Sequence, residues 1–158
     1  MLNLNLDIEN SKLIVENVMK TDFYKKYGGK IYLKSHPLMN IKKIINVMDK
    51  KNVFLVKGNI FDLASKFKLT ITSGATSSIM ETLVAGCKLC FPFDNFTDAY
   101  SLKLMNTPKS YYKVCSNISE LSNYLVKSTK ANNKILINKN FKKKIFNKMT
   151  KKNQIILQ

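Results

Sequence analysis

Residues 69–92 read LTITSGATSSIMETLVAGCKLCFP, and the order of residue types in that stretch decides the fold. Leu69 to Thr72 suits a short strand. Ser73 to Ser78 is a turn of small hydroxyl residues around Gly74, and Thr76 to Ala85 predicts a helix. Gly86 stands where a C′ glycine ends a helix, and Lys88 to Phe91 reads as the next strand, stopped by Pro92.

The same alternation extends outward in both directions. Upstream, Val53 to Val56 predicts a buried strand, followed by a short helix from Asn59 to Phe67. Lys30 to Ser35 is a strand before it, and Ile41, Ile44, Ile45 and Met48 fall at the spacing of one helix face. Leu2, Leu4 and Leu6 alternate with polar residues, a period-two pattern that predicts a strand. A helix capped by Asp7 or Asn10 then runs to about Tyr27 and ends at Gly28-Gly29. Downstream, Asn117 with Glu120 three residues later is a capping signal for a helix carrying Ile118, Leu121 and Leu125. Strands separated by helices at this spacing predict an α/β fold, Rossmann-like and doubly wound, with a mostly parallel sheet and helices on both faces. The ordered pattern covers 1–128. From 129 to 158 the chain is a Lys/Asn-rich tail in which Ile145 and Met149 fit a basic amphipathic helix or scattered apolar residues in a solvated segment.

The 158 residues are 45% hydrophobic, enough for one core without disulfides or metals. No apolar run reaches the roughly 20 residues of a membrane span, and no secretory signal pattern opens the sequence, so a cytoplasmic protein is expected. Cys87 and Cys90 form an isolated CxxC with no second pair and no nearby histidine. They read as small hydrophobes of a buried strand, and no metal site is expected. The formal charge of +17 comes entirely from lysine, with no arginine in the chain. The bidentate contacts that dominate specific nucleic-acid recognition are therefore absent. Specific nucleic acid is not an expected partner, and much of the charge reads as a solvated face.

Ligands of parallel sheets bind outside the carboxyl ends of the strands, so the strand-to-helix turns are the candidate site. These turns hold Ser35-His36-Pro37, Lys57-Gly58-Asn59, Ser73 to Ser78, and Pro92 with Asp94 and Asn95. Ser73, Gly74, Thr76, Ser77 and Ser78 lead into a helix start, where free N–H groups and the positive dipole end favour a phosphate. Ordinary capping would use the same residue types. His36, the only histidine, could donate to a phosphate oxygen or protonate a leaving group. Glu81 follows Ser77 and Ser78 on one helix face and suits the hydroxyls of a ribose.

The run from Ser73 to Gly86, with the strand ending at Phe91-Pro92 and Lys34-Ser35-His36-Pro37 upstream, resembles the C-terminal donor-binding domain of GT-B glycosyltransferases. An HP motif followed by a serine motif is similar to bacterial capsule sialyl- and polysialyltransferases and CDP-glycerol glycerophosphotransferases. The likeness covers approximately Ile8 to Leu125. It implies that His36 and the hydroxyls of Ser77 and Ser78 engage the donor phosphate, with Glu81 on the ribose. The donor would be a CMP-, CDP- or UDP-linked sugar or polyol acting as substrate, with no separate cofactor. Retaining relatives with two glutamates eight positions apart would have the first at residue 73, where this chain has Ser73.

GT-B enzymes carry the acceptor on a further Rossmann-like domain. The resemblance therefore implies a partner polypeptide supplying that half, or a chain that is one piece of a split enzyme. The resulting expectation is the donor-binding half of a surface-polysaccharide transferase, with weak peripheral membrane contact through the Lys-rich tail. A nucleotide-sugar 2-epimerase and a non-catalytic basic nucleotide- or anion-binding adaptor are the alternatives.

Overall fold

A computed structural model of the chain describes residues 4–34, 51–72, 77–92, 107–130, 139–143, 145 and 147. In chain order the elements are α1 (Leu4–Met19), α2 (Asp22–Lys25), β1 (Ile31–Leu33), β2 (Val53–Leu55), α3 (Ile60–Lys66) and β3 (Leu69–Ile71). There follow α4 (Ser77–Val84), β4 (Lys88–Pro92), a 3-10 turn (Lys109–Tyr111), β5 (Tyr112–Cys115) and α5 (Ile118–Lys130). Residues 139–143, 145 and 147 are helical. The fold is α/β with parallel sheets and Rossmann-like alternation. β1 pairs with β2, and β3, β4 and β5 form a three-stranded sheet in that order, every pair parallel.

The helix-to-strand turn at Gly86 closes as the sequence predicts. Gly86 has φ of 82°, its N–H donates to the Leu83 carbonyl at 2.9 Å, and the Cys87 N–H reaches the Thr82 carbonyl at 3.2 Å. This is the Schellman pair of bonds, which a left-handed glycine makes without a Cβ clash. It feeds the chain directly into β4, the central strand, whose Leu89, Cys90 and Phe91 have no exposed surface.

Side chains of β4 alternate between two cores. Leu89 and Phe91 join Ile79, Leu83 and Val84 of α4 on one side. Cys90 joins Cys115 of β5, Val18 of α1, and Leu121 and Leu125 of α5 on the other. Helices therefore cover both faces of the three-stranded sheet, as the doubly wound pattern requires. Ile31 belongs to the second core and also packs in the cluster of Val15, Met19, Leu33 and Val53, which joins β1 and β2 to the rest through α1.

Several expectations are corrected. Leu4 and Leu6 lie in α1 and form no strand: three leucines in alternation are too short a signal to outweigh leucine's helix preference. The first helix ends at Met19 rather than near Tyr27. There the buried Thr21 hydroxyl donates to the Val18 carbonyl at 2.6 Å, a local bond that competes with the helical ladder. α2 restarts from Thr21, and its Asp22 N–H donates to Ser122 Oγ of α5 at 3.0 Å. β2 is not a buried strand, since Phe54 and Leu55 are 39% and 49% exposed; Phe54 stacks on Tyr32 across the pair. β5 was not expected at all. The predicted helix over Ile41–Met48 lies outside the described residues.

Two described residues of the C-terminal segment pack against the domain. Ile145 is 2% exposed inside the α4 core, and Phe141 meets the Tyr111 ring edge-on at 5.4 Å. Ile145→Ala should therefore lower unfolding stability by about 2–4 kcal/mol, the cost of emptying a closed apolar site. Urea denaturation followed by circular dichroism measures it, and a solvated tail would show no change.

Candidate functional site: helix starts at the carboxyl ends of the strands

Three described helices begin just after a parallel strand: α3 after β2, α4 after β3 and α5 after β5. Their first turns differ in charge and in what occupies their free N–H groups. At α3, Asn59 Oδ1 accepts from the Phe61 N–H at 2.7 Å, and Asp62 adds an acid to the first turn. At α5, Asn117 Oδ1 accepts from the Glu120 N–H at 2.9 Å, and Glu120 Oε2 turns back to accept from the Ser116 N–H at 2.9 Å. Both starts carry a side-chain cap and a carboxylate. α4 has no acid in its first turn, which opens Ser77-Ser78. It is the one start of the three whose dipole end no acidic side chain of its own first turn offsets.

Glu120 is further engaged by an ion pair with Lys113 of β5. That pair first, then the Ser116 N–H, holds the Glu120 carboxyl below its ordinary range and raises the Lys113 ammonium. The carboxylate that caps α5 is thus tied down by the protein, which leaves it poorly placed for catalysis.

Of the residues singled out in the sequence, Ser77, Ser78 and Glu81 share α4, with Glu81 four positions after Ser77 and three after Ser78 on the same helix face. Glu81 is half-buried. Gly58 has φ of 127° in the turn after β2, and a Cβ there would meet nothing within 4 Å. Its glycine is therefore required by backbone conformation and not by a close neighbour. His36, Ser73, Gly74, Thr76 and Asp94 lie outside the described residues. Ser77, Ser78 and Glu81 thus lie on one helix, and Gly58 follows the carboxyl end of its own strand.

The α5 start is a feature of this edge that the sequence reading saw only as a cap. With β5 unrecognised, nothing indicated that Ser116 and Asn117 follow a strand. The available signal was the short run Tyr112-Lys113-Val114-Cys115, whose alternate side chains Tyr112 and Val114 face the α4 core.

The cysteines behave as structural residues. Cys87 and Cys90 are buried, and the Cys87 thiol is pushed up by burial, against a hydrogen bond with Thr70 at 3.3 Å. Cys90 and Cys115 are thiols 3.8 Å apart, and the hydrogen bond between them together with burial drives the Cys90 thiol up. In the strand register Cys90 faces Lys113 while Cys115 faces Pro92. The two cysteines are therefore diagonal, roughly 7–8 Å apart at Cα, beyond the span of an unstrained disulfide. Among the described residues no three His, Cys, Asp or Glu side chains gather as a metal site.

Comparison with protein-family models, curated proteins and solved structures finds no match to this chain.

Two outcomes follow from these environments. A carboxyl with a lowered folded pKa contributes stability that is present above its unfolded pKa and lost as pH falls through its folded pKa. Glu120→Gln should therefore melt below wild type at neutral pH, and the two curves should converge in acid, well under the free glutamate value of about 4.3. Thermal melts across pH check this; a constant offset would show that the ion pair and cap are not its source. The second outcome concerns the thiols: all three should resist a thiol-specific chromogenic reagent in the native protein and react together on unfolding in guanidinium. Rapid native reaction of any one would contradict its burial.

Proposed function

We propose that this chain is the donor-binding half of a transferase that uses a nucleotide-activated sugar or polyol in surface-polysaccharide synthesis. The observation that carries the reading is the start of α4, the helix that follows β3 in the chain: Ser77 and Ser78 open its first turn, no acid lies there, and Glu81 comes one turn further along. That arrangement suits a ligand with an anion at one end and vicinal hydroxyls at the other, which is the chemistry of a nucleotide.

In this reading the N–H groups and hydroxyls of Ser77 and Ser78, with Ser73, Gly74 and Thr76 before them in the sequence, take the donor phosphate. Glu81 accepts hydrogen bonds from the ribose hydroxyls, and Gly58, in the turn after β2, is a further candidate for contact with the donor. His36 donates a proton or hydrogen bond to the departing phosphate oxygen as an acceptor hydroxyl attacks the anomeric or phosphoryl centre. A second α/β unit supplies the acceptor. No helix among the described residues is long and apolar enough to cross a membrane, and the proposed site of action is the cytoplasm.

Calorimetric titration of CMP, CDP and UDP into the purified chain tests the reading. His36→Ala should weaken binding by about 1.5–3 kcal/mol and Ser77→Ala or Ser78→Ala by about 0.5–1.5 kcal/mol. Glu81→Gln should weaken the nucleotides while leaving inorganic phosphate unchanged, since only the nucleotides carry a ribose. Equal nucleotide affinity in wild type and all four variants, with folding intact by circular dichroism, would reject the site.

A further inference from the structure

The last acidic residue of the chain is Glu120; residues 121–158 contain ten lysines and no Asp or Glu. The structure shows how part of this charge is displayed. Among the helical residues 139–143, 145 and 147, Phe141 and Ile145 are four positions apart and pack on the α4 core, where Phe141 contacts Tyr111. Lys139, Lys142 and Lys143 are exposed. At 100° per residue Lys139 and Lys143 lie opposite Phe141 and Ile145, and Lys142 borders that arc, about 60° from Ile145. Lys109 is also exposed and opens the 3-10 turn that ends in Tyr111, the ring against Phe141.

We propose that Lys109, Lys139, Lys142 and Lys143 form a docking face for the anionic phospholipid headgroups of a bilayer. The inference does not rest on the donor-binding reading. Clustered lysines on an amphipathic helix are a pattern that binds acidic lipid; here the helix supplies three of the four and the 3-10 turn supplies Lys109. Here the apolar side of the helix is already spent in the protein core, so attachment is electrostatic and leaves the acyl region undisturbed, unlike an interfacial helix that inserts its apolar face. Single-stranded nucleic acid is the less suitable polyanion. Its non-specific binders combine charge with accessible aromatic platforms, whereas Tyr111 and Phe141 are half-buried and packed on one another. No arginine is present to replace them.

The test is co-sedimentation of the full chain with vesicles of phosphatidylglycerol and phosphatidylcholine, against vesicles of phosphatidylcholine alone. Binding should require phosphatidylglycerol and vanish as salt rises. Each lysine removed should weaken it roughly fivefold, and Lys142→Glu with Lys143→Glu at least about twentyfold, with an unchanged circular dichroism spectrum. Lys20→Glu with Lys57→Glu, a charge change of the same size at exposed positions elsewhere, should retain most of the binding. No binding to the anionic vesicles, or equal loss in the two double variants, would overturn the proposal. So would tighter binding to a single-stranded RNA homopolymer than to vesicles at equal phosphate concentration.

Discussion

The architecture depends on one strand being buried from both sides. Leu89, Cys90 and Phe91 have no exposed surface, so their backbone polar groups must be satisfied within the sheet. β3 and β5 flank β4 and supply those bonds. Both faces then need cover. The side chains are unequal: the large Leu89 and Phe91 point toward α4, while Cys90 and its neighbour Cys115 present small sulfur groups toward α1 and α5. Small residues on that side let α1 and α5 lie over the same strands, held to α2 by the Asp22–Ser122 bond. A cysteine pair here is a packing solution, and the diagonal register keeps it from becoming a crosslink.

Parallel pairing within each sheet puts the carboxyl ends of its strands, and the helix starts that follow them, on one edge. The electrostatic character of that edge then depends on local sequence. α3 and α5 spend Asn59, Asp62, Asn117 and Glu120 on their own free N–H groups and dipoles. α4 spends no carboxylate on its first turn, and its acid, Glu81, comes one turn later. The charge contrast among these starts follows from which side chains the sequence provides, since the underlying helix geometry is the same in all of them.

The parts that were legible in the sequence are those where one residue type has a single good use. Gly86 can end a helix in the left-handed region, Asn117 can cap, and the run Lys88 to Phe91, set between a C′ glycine and a proline, suits a buried strand. What escaped detection depended on contacts distant in sequence. The restart after Thr21 is held by the distant bond from the Asp22 N–H to Ser122 Oγ, and the four-residue β5 is stabilised by its neighbour β4 more than by its own pattern. The exposure of Phe54 and Leu55 shows the converse, an apolar strand that the described fold does not fully cover. At the candidate site, the serines and Glu81 were readable because helical periodicity alone puts them on one face.

The C-terminal segment shows why composition misleads when it is read without topology. A stretch with ten lysines and no acids has the net charge of a disordered tail, yet Ile145 is enclosed beside Ile79, Leu83 and Val84. α4 covers only part of the Leu89 and Phe91 face, and Ile145 with Phe141 supplies further apolar area to the same cluster. Burial of a few such side chains offsets self-repulsion among the described lysines, which is small because those side chains are exposed to water. The same packing joins the basic helix to α4, the helix whose first turn is the candidate anion site. Loss of Ile145 would therefore loosen α4 through their shared core, making a segment that reads as dispensable in composition a structural support for the candidate site.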